Sequence, residues 1–272
     1  MDAWNFMSPE SRDNLRRAIQ TEADGMFALV EDPATWEAPT AAGAWQARDV
    51  VGHLVDTTES YFVGFDAARG LGEPNPGVPL VDMAPAVDAG ARRFRDVGRV
   101  ELLARLRSDR EKLAGIFDGL TDEEWTSLQV PHTYMGPLPA CFYPIFQVVD
   151  YAVHSWDIRQ GIGRPHALSA EAADLLVPLN FVVWSSTALA GVFSERAELG
   201  IRVASGANAG EHKVTLGPDG VAIEPGPVDG LPAVLEFDPA SLVLTAYGRM
   251  NAGTARGDLS LANRFLGGFF RI

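Results

Sequence analysis

Two stretches of the sequence place histidine and carboxylate side chains beside apolar residues. In residues 148–158, VVDYAVHSWDI, Asp150 and His154 stand four positions apart, about one turn of an ideal helix. Residues 52–62, GHLVDTTESYF, contain His53 in a similar setting. On a helical projection each histidine lies at the border of an apolar face. The two helices could therefore direct His53, Asp150 and His154 toward one point, as in metal sites built inside helical bundles.

Two imidazoles and one carboxylate are ligands typical of a catalytic zinc site that keeps a fourth position open. The same set also suits non-haem Fe(II). Both histidines are followed three positions later by an acid, Asp56 and Asp157, which could orient the imidazoles or lie at the surface. An Asp-x-x-x-His pair is frequent by chance. The spacing alone therefore leaves two readings open, a metal site and ordinary packed or surface residues.

Composition excludes several classes of function. The 272 residues include 47% hydrophobic residues, enough for a full core, and 22 Lys+Arg against 36 Asp+Glu give a net charge of −14. This balance argues against nucleic acid or an anionic membrane as a partner, because phosphate attracts clustered basic charge. The sequence contains no apolar run of about 18 residues, so we expect no membrane span. The single cysteine, Cys141, and the polar start of the sequence favour a reducing cytoplasm.

The first two thirds of the sequence read as helices. Apolar periodicity, caps and breakers predict them over residues 9–31, 46–69, 83–119 with a break near Gly98, 141–161, and 169–192 with a kink at Pro178. The proline- and glycine-rich stretch 120–140 is expected to be a long connection.

From about residue 200 the pattern changes to short β-rich runs separated by turn residues: IRVASG, HKVTLG, VAIEPG and AVLEFD. LVLTAYGRM fits another strand or a short helix, and DLSLANRFLGGFF fits a closing helix. We therefore predict an α+β protein, with a helical bundle over residues 1–195 and a small α+β domain over residues 196–272.

Three stretches together resemble a known family. They are WQARDVVGHLVDT (45–57), VVDYAVHSWDIRQGIG (148–163) and AYGRMNAGTARGDLSLANRFL (246–266). The first two are similar to the DinB-like superfamily and, more closely, to the mycothiol-dependent maleylpyruvate isomerase family. The third resembles the small sterol-carrier-like domain that follows the bundle in that family. The resemblance implies an up-down DinB-like bundle followed by that domain.

The resemblance also implies a divalent metal, usually zinc, held by His53, Asp150 and His154, with water completing the coordination. The family typically has Glu where this chain has Asp150, which is shorter by one methylene. We expect metal binding to survive this change, which bears on the choice of substrate more than on the metal. The family uses an arginine of the C-terminal domain, for which Arg249 is the candidate and Arg256 the rival.

The activity implied by the resemblance is activation of mycothiol for attack on a small electrophile. Zinc deprotonates a coordinated thiol, and the thiolate then attacks an electrophilic carbon. The product is either a cis–trans isomer of the maleylpyruvate type or an S-conjugate. Three alternatives stay open: a metal-dependent hydrolase that uses zinc-bound water, an Fe(II) oxygenase, and a non-enzymatic metal- or ligand-binding protein. The chain is expected to act as a monomer or a homodimer.

The 120–140 connection contains two further candidates in PHTYMGPLP, His132 and Tyr134. They could line the mouth of the cavity and donate protons or contact the substrate, and packing roles are the alternative. Cys141 is expected to have no chemical role, because the reactive thiol would come from the cosubstrate.

Overall fold

The computed structural model describes residues 3–270, which form nine α-helices and seven β-strands. The chain divides into two compact units, Met1–Ala167 and Leu168–Ile272. The first is mainly helical and the second contains a five-stranded sheet with helices. The predicted α+β class is confirmed.

The first unit is built on four long helices. Its elements are α1 (Arg12–Val30), α2 (Ala47–Ala68), α3 (Met83–Arg92), α4 (Arg99–Asp118), α5 (Asp122–Ser127), β1 (Gln129–His132), β2 (Gly136–Pro139) and α6 (Phe142–Gly161). Helix α1 packs against α6, and α2 packs against α3 and α4. The break predicted near Gly98 is confirmed, because α3 ends at Arg92 and Gly98 caps the start of α4.

Local sequence fixes where α2 begins and what lies beside it. The backbone N–H of Gln46, the residue before α2, donates to Asp49 Oδ2 at 2.9 Å, so that the Asp49 side chain satisfies an N–H group at the start of the helix. Three residues later, Gly52 faces the carbonyl of Ala91 on α3, where a Cβ would collide. The glycine therefore lets α3 approach α2 directly beside His53.

The 120–140 stretch, predicted as a long connection, does join two helices but has secondary structure of its own. It contains α5 and an antiparallel hairpin of β1 and β2, in which His132 pairs with Gly136. Thr121 and Glu124 form a capping box that starts α5. Gly136 follows the turn with φ of 72°, a conformation that glycine adopts without strain.

The second unit is an α+β sandwich of one sheet and three helices. Its elements are α7 (Ala170–Ser186), β3 (Ala197–Val203), β4 (Gly210–Gly217), β5 (Gly220–Pro225), β6 (Ala233–Phe237), α8 (Pro239–Ala246), β7 (Thr254–Gly257) and α9 (Leu259–Leu266). The strand order is β5-β4-β3-β6-β7, and only the β3–β6 pair is parallel. The four predicted strands are confirmed, and LVLTAYGRM contributes to α8. Strand β7 was not predicted.

Helix α7 belongs to the second unit, so the division between units falls at Ala167–Leu168 and not near residue 195. The helix packs against α8 and β5. It continues through Pro178, which removes the backbone N–H that would bond to the Asp174 carbonyl. The side-chain amide of Asn208 donates to that carbonyl at 2.8 Å. Helical periodicity predicted α7, but it carried no information about the unit against which α7 packs.

Both units have apolar cores of their own. In the first unit, the core joins buried side chains of α1, α2, α4 and α6, among them Met26, Leu54, Leu106 and Ile158. None of the helices within residues 3–270 is long and apolar enough to cross a membrane.

Candidate metal centre

The three predicted ligands meet inside the first unit. His53 comes from the middle of α2, and Asp150 and His154 come from α6. One ligand atom from each residue lies within 4.8 Å of the others, and His53 Nε2 is 3.6 Å from Asp150 Oδ1. Both histidines are 9% exposed. The structure thus brings together the three side chains that the spacing of four on α6 and the position of His53 beside a core face directed toward one point.

Each imidazole has a hydrogen-bond partner at Nδ1. His154 Nδ1 lies 2.9 Å from Asp157 Oδ2, and this carboxylate is fully buried. His53 Nδ1 lies 3.2 Å from the hydroxyl of Thr57. A partner at Nδ1 is common among metal-binding histidines, and with this arrangement the ligand atom of each ring would be Nε2.

The two acids three positions after the histidines have different partners. Asp157 orients His154, as one of the two readings of the sequence proposed. Asp56 instead pairs with Arg93 at 2.6 Å, and Thr57 is the side chain at His53 Nδ1. The same spacing therefore produces an imidazole partner on α6 and an ion pair with the segment after α3.

The donor set fits a divalent metal. Tetrahedral zinc with bonds of about 2.0–2.1 Å separates its ligand atoms by about 3.3 Å, and the His53–Asp150 distance is close to this value. Asp150 Oδ2 is buried without a hydrogen-bond partner among residues 3–270. A buried carboxylate oxygen in that state is costly unless a cation compensates it. The shorter side chain of Asp150 still reaches His53.

An indole to which the sequence assigned no role, although it begins the stretch 45–57, lies against the histidine pair. The ring centroid of Trp45 is 5.2 Å from that of His53 and 5.8 Å from that of His154. Its Nε1–H donates to Asp88 Oδ1 on α3 at 2.8 Å. The available signal was the position of Trp45 just before α2, but periodicity cannot predict a contact with α6 and α3.

His132 and Tyr134 lie on the hairpin, within the first unit. The His132 ring is 5.5 Å from Phe146 and 5.9 Å from Tyr134 between centroids. Its Nδ1 accepts a hydrogen bond from the backbone N–H of Tyr134 at 3.2 Å. Burial lowers the pKa of His132 to about 4, and the charge of Asp150 only partly opposes this. His132 is therefore neutral near pH 7, with its proton on Nε2.

Tyr134 keeps its phenolic proton as well. Burial, together with the charge of Asp56, raises the pKa of Tyr134 above its ordinary value. The hairpin thus presents two neutral donor groups.

The remaining candidates are Arg249, Arg256 and Cys141. Arg249 follows α8 in the second unit, and its guanidinium donates to the Tyr247 carbonyl at 2.9 Å. Arg256 on β7 pairs with Glu236 on the neighbouring strand. Cys141 is 1% exposed, and burial raises the pKa of its thiol to about 11, so it is a poor nucleophile near pH 7.

Fold and site together define a class of protein, a helical bundle with a His-Asp-His cluster followed by a small α+β unit. Residues 16–159, more than half of the chain, match the family described as mycothiol maleylpyruvate isomerase N-terminal domain. The chain belongs to this family.

Solved structures agree with the fold. Two crystal structures of a mycothiol-dependent maleylpyruvate isomerase, one of them a histidine-to-alanine mutant, each match with a TM-score of 0.60 at 12% identity, over 90% of this chain and 92% of theirs. At that identity the likeness concerns the fold alone. The colibactin self-resistance protein ClbS, solved with double-stranded DNA, matches 54% of this chain and 93% of its own at 16% identity, with a TM-score of 0.46 that carries no argument. No curated protein matches the chain closely enough to count as a relative.

Proposed function

We propose that this chain is a zinc-dependent enzyme that uses mycothiol to attack a small electrophile, as an isomerase of the maleylpyruvate type or as an S-transferase. The observation that carries the proposal is the cluster of His53, Asp150 and His154, in which one ligand atom of each residue lies within 4.8 Å of the others, in a chain of this family. One chain supplies all three groups, so a monomer would suffice. A thiol cosubstrate and a single cysteine fit a reducing cytoplasm, the compartment that we propose.

The ligand groups would be Nε2 of each histidine and the carboxylate of Asp150. When bound, a zinc ion supplies a positive charge that lowers the pKa of a neighbouring thiol and favours the thiolate at neutral pH. Asp157 keeps the proton of His154 on Nδ1, because an ionised carboxylate only accepts hydrogen bonds. Asp157 thereby prepares Nε2 of His154 as a ligand.

Isomerisation would return the thiol unchanged. The thiolate forms a C–S bond at one alkene carbon of a cis-enedione, and the π electrons move onto the conjugated carbonyl oxygen as an enolate. The former double bond can then rotate. When the enolate electrons return, the alkene reforms as trans and the C–S bond breaks, which releases the thiolate. A transferase would instead add a proton to the enolate carbon and release the conjugate.

His132 and Tyr134 would assist as neutral hydrogen-bond donors to the oxygen on which negative charge develops. This role is supported by the low pKa of His132 and the raised pKa of Tyr134. NMR titration should find the His132 imidazole neutral down to about pH 4. If it carries a proton at pH 6, the neutral-donor role is wrong.

Arg249 would hold an anionic substrate, whose charge the −14 chain otherwise repels. Arg249→Ala should lower turnover and leave the zinc content unchanged, whereas Arg256→Ala, the matched control, should leave turnover close to that of the parent. Equal turnover in the Arg249 variant and the parent would remove Arg249 from the proposal.

The deciding experiment combines metal analysis with a thiol dependence. Zinc-loaded protein is incubated with maleylpyruvate and with a panel of electrophiles, with and without mycothiol, and products are followed by absorbance and mass spectrometry. We expect turnover or conjugates only when mycothiol is present. Turnover that proceeds equally without any thiol, or a protein that binds no zinc, would overturn the proposal.

A further inference from the structure

The indole of Trp45 covers one side of the candidate metal centre. Its centroid distances of 5.2 Å to His53 and 5.8 Å to His154 lie within the range of aromatic contacts. The two imidazoles themselves are 5.1 Å apart at an angle of 82°. Three rings from two parts of the chain thus form one cluster. The indole therefore lies against both imidazoles.

Asp88 holds this indole. The Nε1–H of Trp45 donates to Asp88 Oδ1 at 2.8 Å, and the Nε–H of Arg92 donates to the same oxygen at 2.7 Å. The Asp88 side chain is 43% exposed, so it contributes little to the apolar core. Its position in the structure is better explained by the hydrogen bond to Trp45 than by packing.

Helix α3, which carries Asp88, is fixed to α2 next to His53. Gly52 lies against the Ala91 carbonyl, and Arg93 pairs with Asp56 at 2.6 Å. Beyond α3, both Nε and Nη2 of Arg95 donate to Asp49 in the first turn of α2 at 2.7 Å. The hydrogen bond from Trp45 therefore ends on an element whose position relative to His53 is set by separate contacts.

We propose that Trp45 and Asp88 are positioning residues of the metal centre: Asp88 holds the indole of Trp45 against both imidazoles, and the indole keeps the ligand rings in place and excludes water from that side. A metal ion leaves such a site when a ligand ring turns away, and water that enters assists this. The covering ring slows both events. This inference rests on the proposed metal role of His53, Asp150 and His154.

The test measures the rate at which zinc leaves the loaded protein in excess chelator. Trp45→Ala should increase the rate about tenfold, the lower end of the effect seen when groups that orient metal ligands are removed. Asp88→Ala should have a smaller effect in the same direction. Asp88→Asn should stay near the parent, because the amide oxygen still accepts from the indole. Asp82→Ala, which removes an exposed acid at the start of the same helix, is the matched control and should not change the rate.

A double-mutant comparison separates action through Trp45 from a general effect of Asp88. Trp45→Phe keeps a ring and removes the N–H, so Asp88→Ala should have no further effect in that background. An equal effect of Asp88→Ala in both backgrounds would overturn the proposed link. The phenylalanine variant also covers the case in which Trp45→Ala fails to fold.

NMR of the metal-free protein gives a second readout. Asp88→Ala should shift one indole N–H resonance and the ring resonances of His53 and His154, and unchanged imidazole resonances would overturn the inference. The two proposals fail differently. A parent protein that binds no zinc contradicts the proposed function, whereas a parent that binds zinc but loses it no faster after Trp45→Phe and Trp45→Ala contradicts only the positioning roles.

Discussion

The two histidines of the centre are held in different ways, although each is followed by an acid three positions later. On α6, the partner of His154 is the fully buried carboxylate of Asp157 at 2.9 Å. On α2, the partner of His53 is the half-buried hydroxyl of Thr57 at 3.2 Å, and the indole of Trp45 lies against the ring. One imidazole has a carboxylate as its partner, and the other has a hydroxyl.

This difference bears on which nitrogen of each ring carries the proton. An ionised carboxylate can only accept, so Asp157 fixes the proton of His154 on Nδ1 and leaves Nε2 with a lone pair. A hydroxyl can donate or accept, so Thr57 leaves both tautomers of His53 accessible. If the proposed metal binds, the α6 side of the centre would already have the matching tautomer, whereas the α2 side would have to adopt it.

Removal of either imidazole should have the largest effect on zinc binding, because it removes a proposed ligand. His154→Ala and His53→Ala should each bind zinc far more weakly than the parent, with helical content retained. Elemental analysis measures the zinc content, and circular dichroism measures the helical content. His166→Ala, a histidine outside the cluster, is the control and should bind zinc normally. A metal-replete His154 variant would refute the site.

Loss of Asp157, the carboxylate partner of His154, should have the second-largest effect on zinc binding. Asp157→Asn keeps the shape of the side chain and removes its charge, and should weaken zinc affinity by about 10–100-fold. Competition with a chelator measures the affinity. Asp56→Asn is the matched control, since Asp56 occupies the same position after His53 but pairs with Arg93. If both variants weaken zinc binding equally, the contrast between the two histidines is wrong.

Loss of Thr57, the hydroxyl partner of His53, should have a smaller effect on zinc affinity. Thr57→Val removes the hydroxyl and keeps the branched shape, and should weaken zinc affinity by less than about tenfold, because no charge is lost. The same chelator competition measures this effect. A loss as large as that of Asp157→Asn would show that the hydroxyl orients His53 as firmly as the carboxylate orients His154.

Removal of the metal should cause the smallest change, a shift in the tautomer of one histidine only. In ¹⁵N NMR at neutral pH, His154 should have its proton on Nδ1 both with zinc and after chelation. His53 should populate both tautomers after chelation and only the Nδ1–H form with zinc. Two histidines with the same response would mean that the two partners do not differ in the way that their chemistry predicts.

Much of the fold followed from local pattern. Helices α1, α2, α4 and α6 and the four strands β3–β6 were predicted from periodicity and turn residues, with ends displaced by a few residues. The errors arose where local signals were short. The capping box of Thr121 and Glu124 starts a helix of only six residues, and β7 has four, too few for a periodic pattern to show.

The three members of the cluster could be predicted because each lies on a long helix, where the position of a side chain relative to the core face follows from its spacing. The hydrogen-bond partners of the two histidines could not be predicted in this way. Asp56 and Asp157 have the same spacing from a histidine, and their different roles depend on Arg93, which follows α3 and is distant in sequence from both helices. Trp45 and Asp88 were missed for the same reason.

The sequence by itself determined the α+β class, the family resemblance and the placement of Asp150, His154 and Asp157 along one side of α6, because helix geometry fixes neighbours within a few residues. Only the tertiary structure decided that Thr57 and not Asp56 contacts His53, that Trp45 covers both imidazoles, and that α7 packs with the sheet. These are contacts between elements far apart in the chain. Their formation depends on how helices pack, through details such as the close approach of α3 at Gly52, and local periodicity does not encode that.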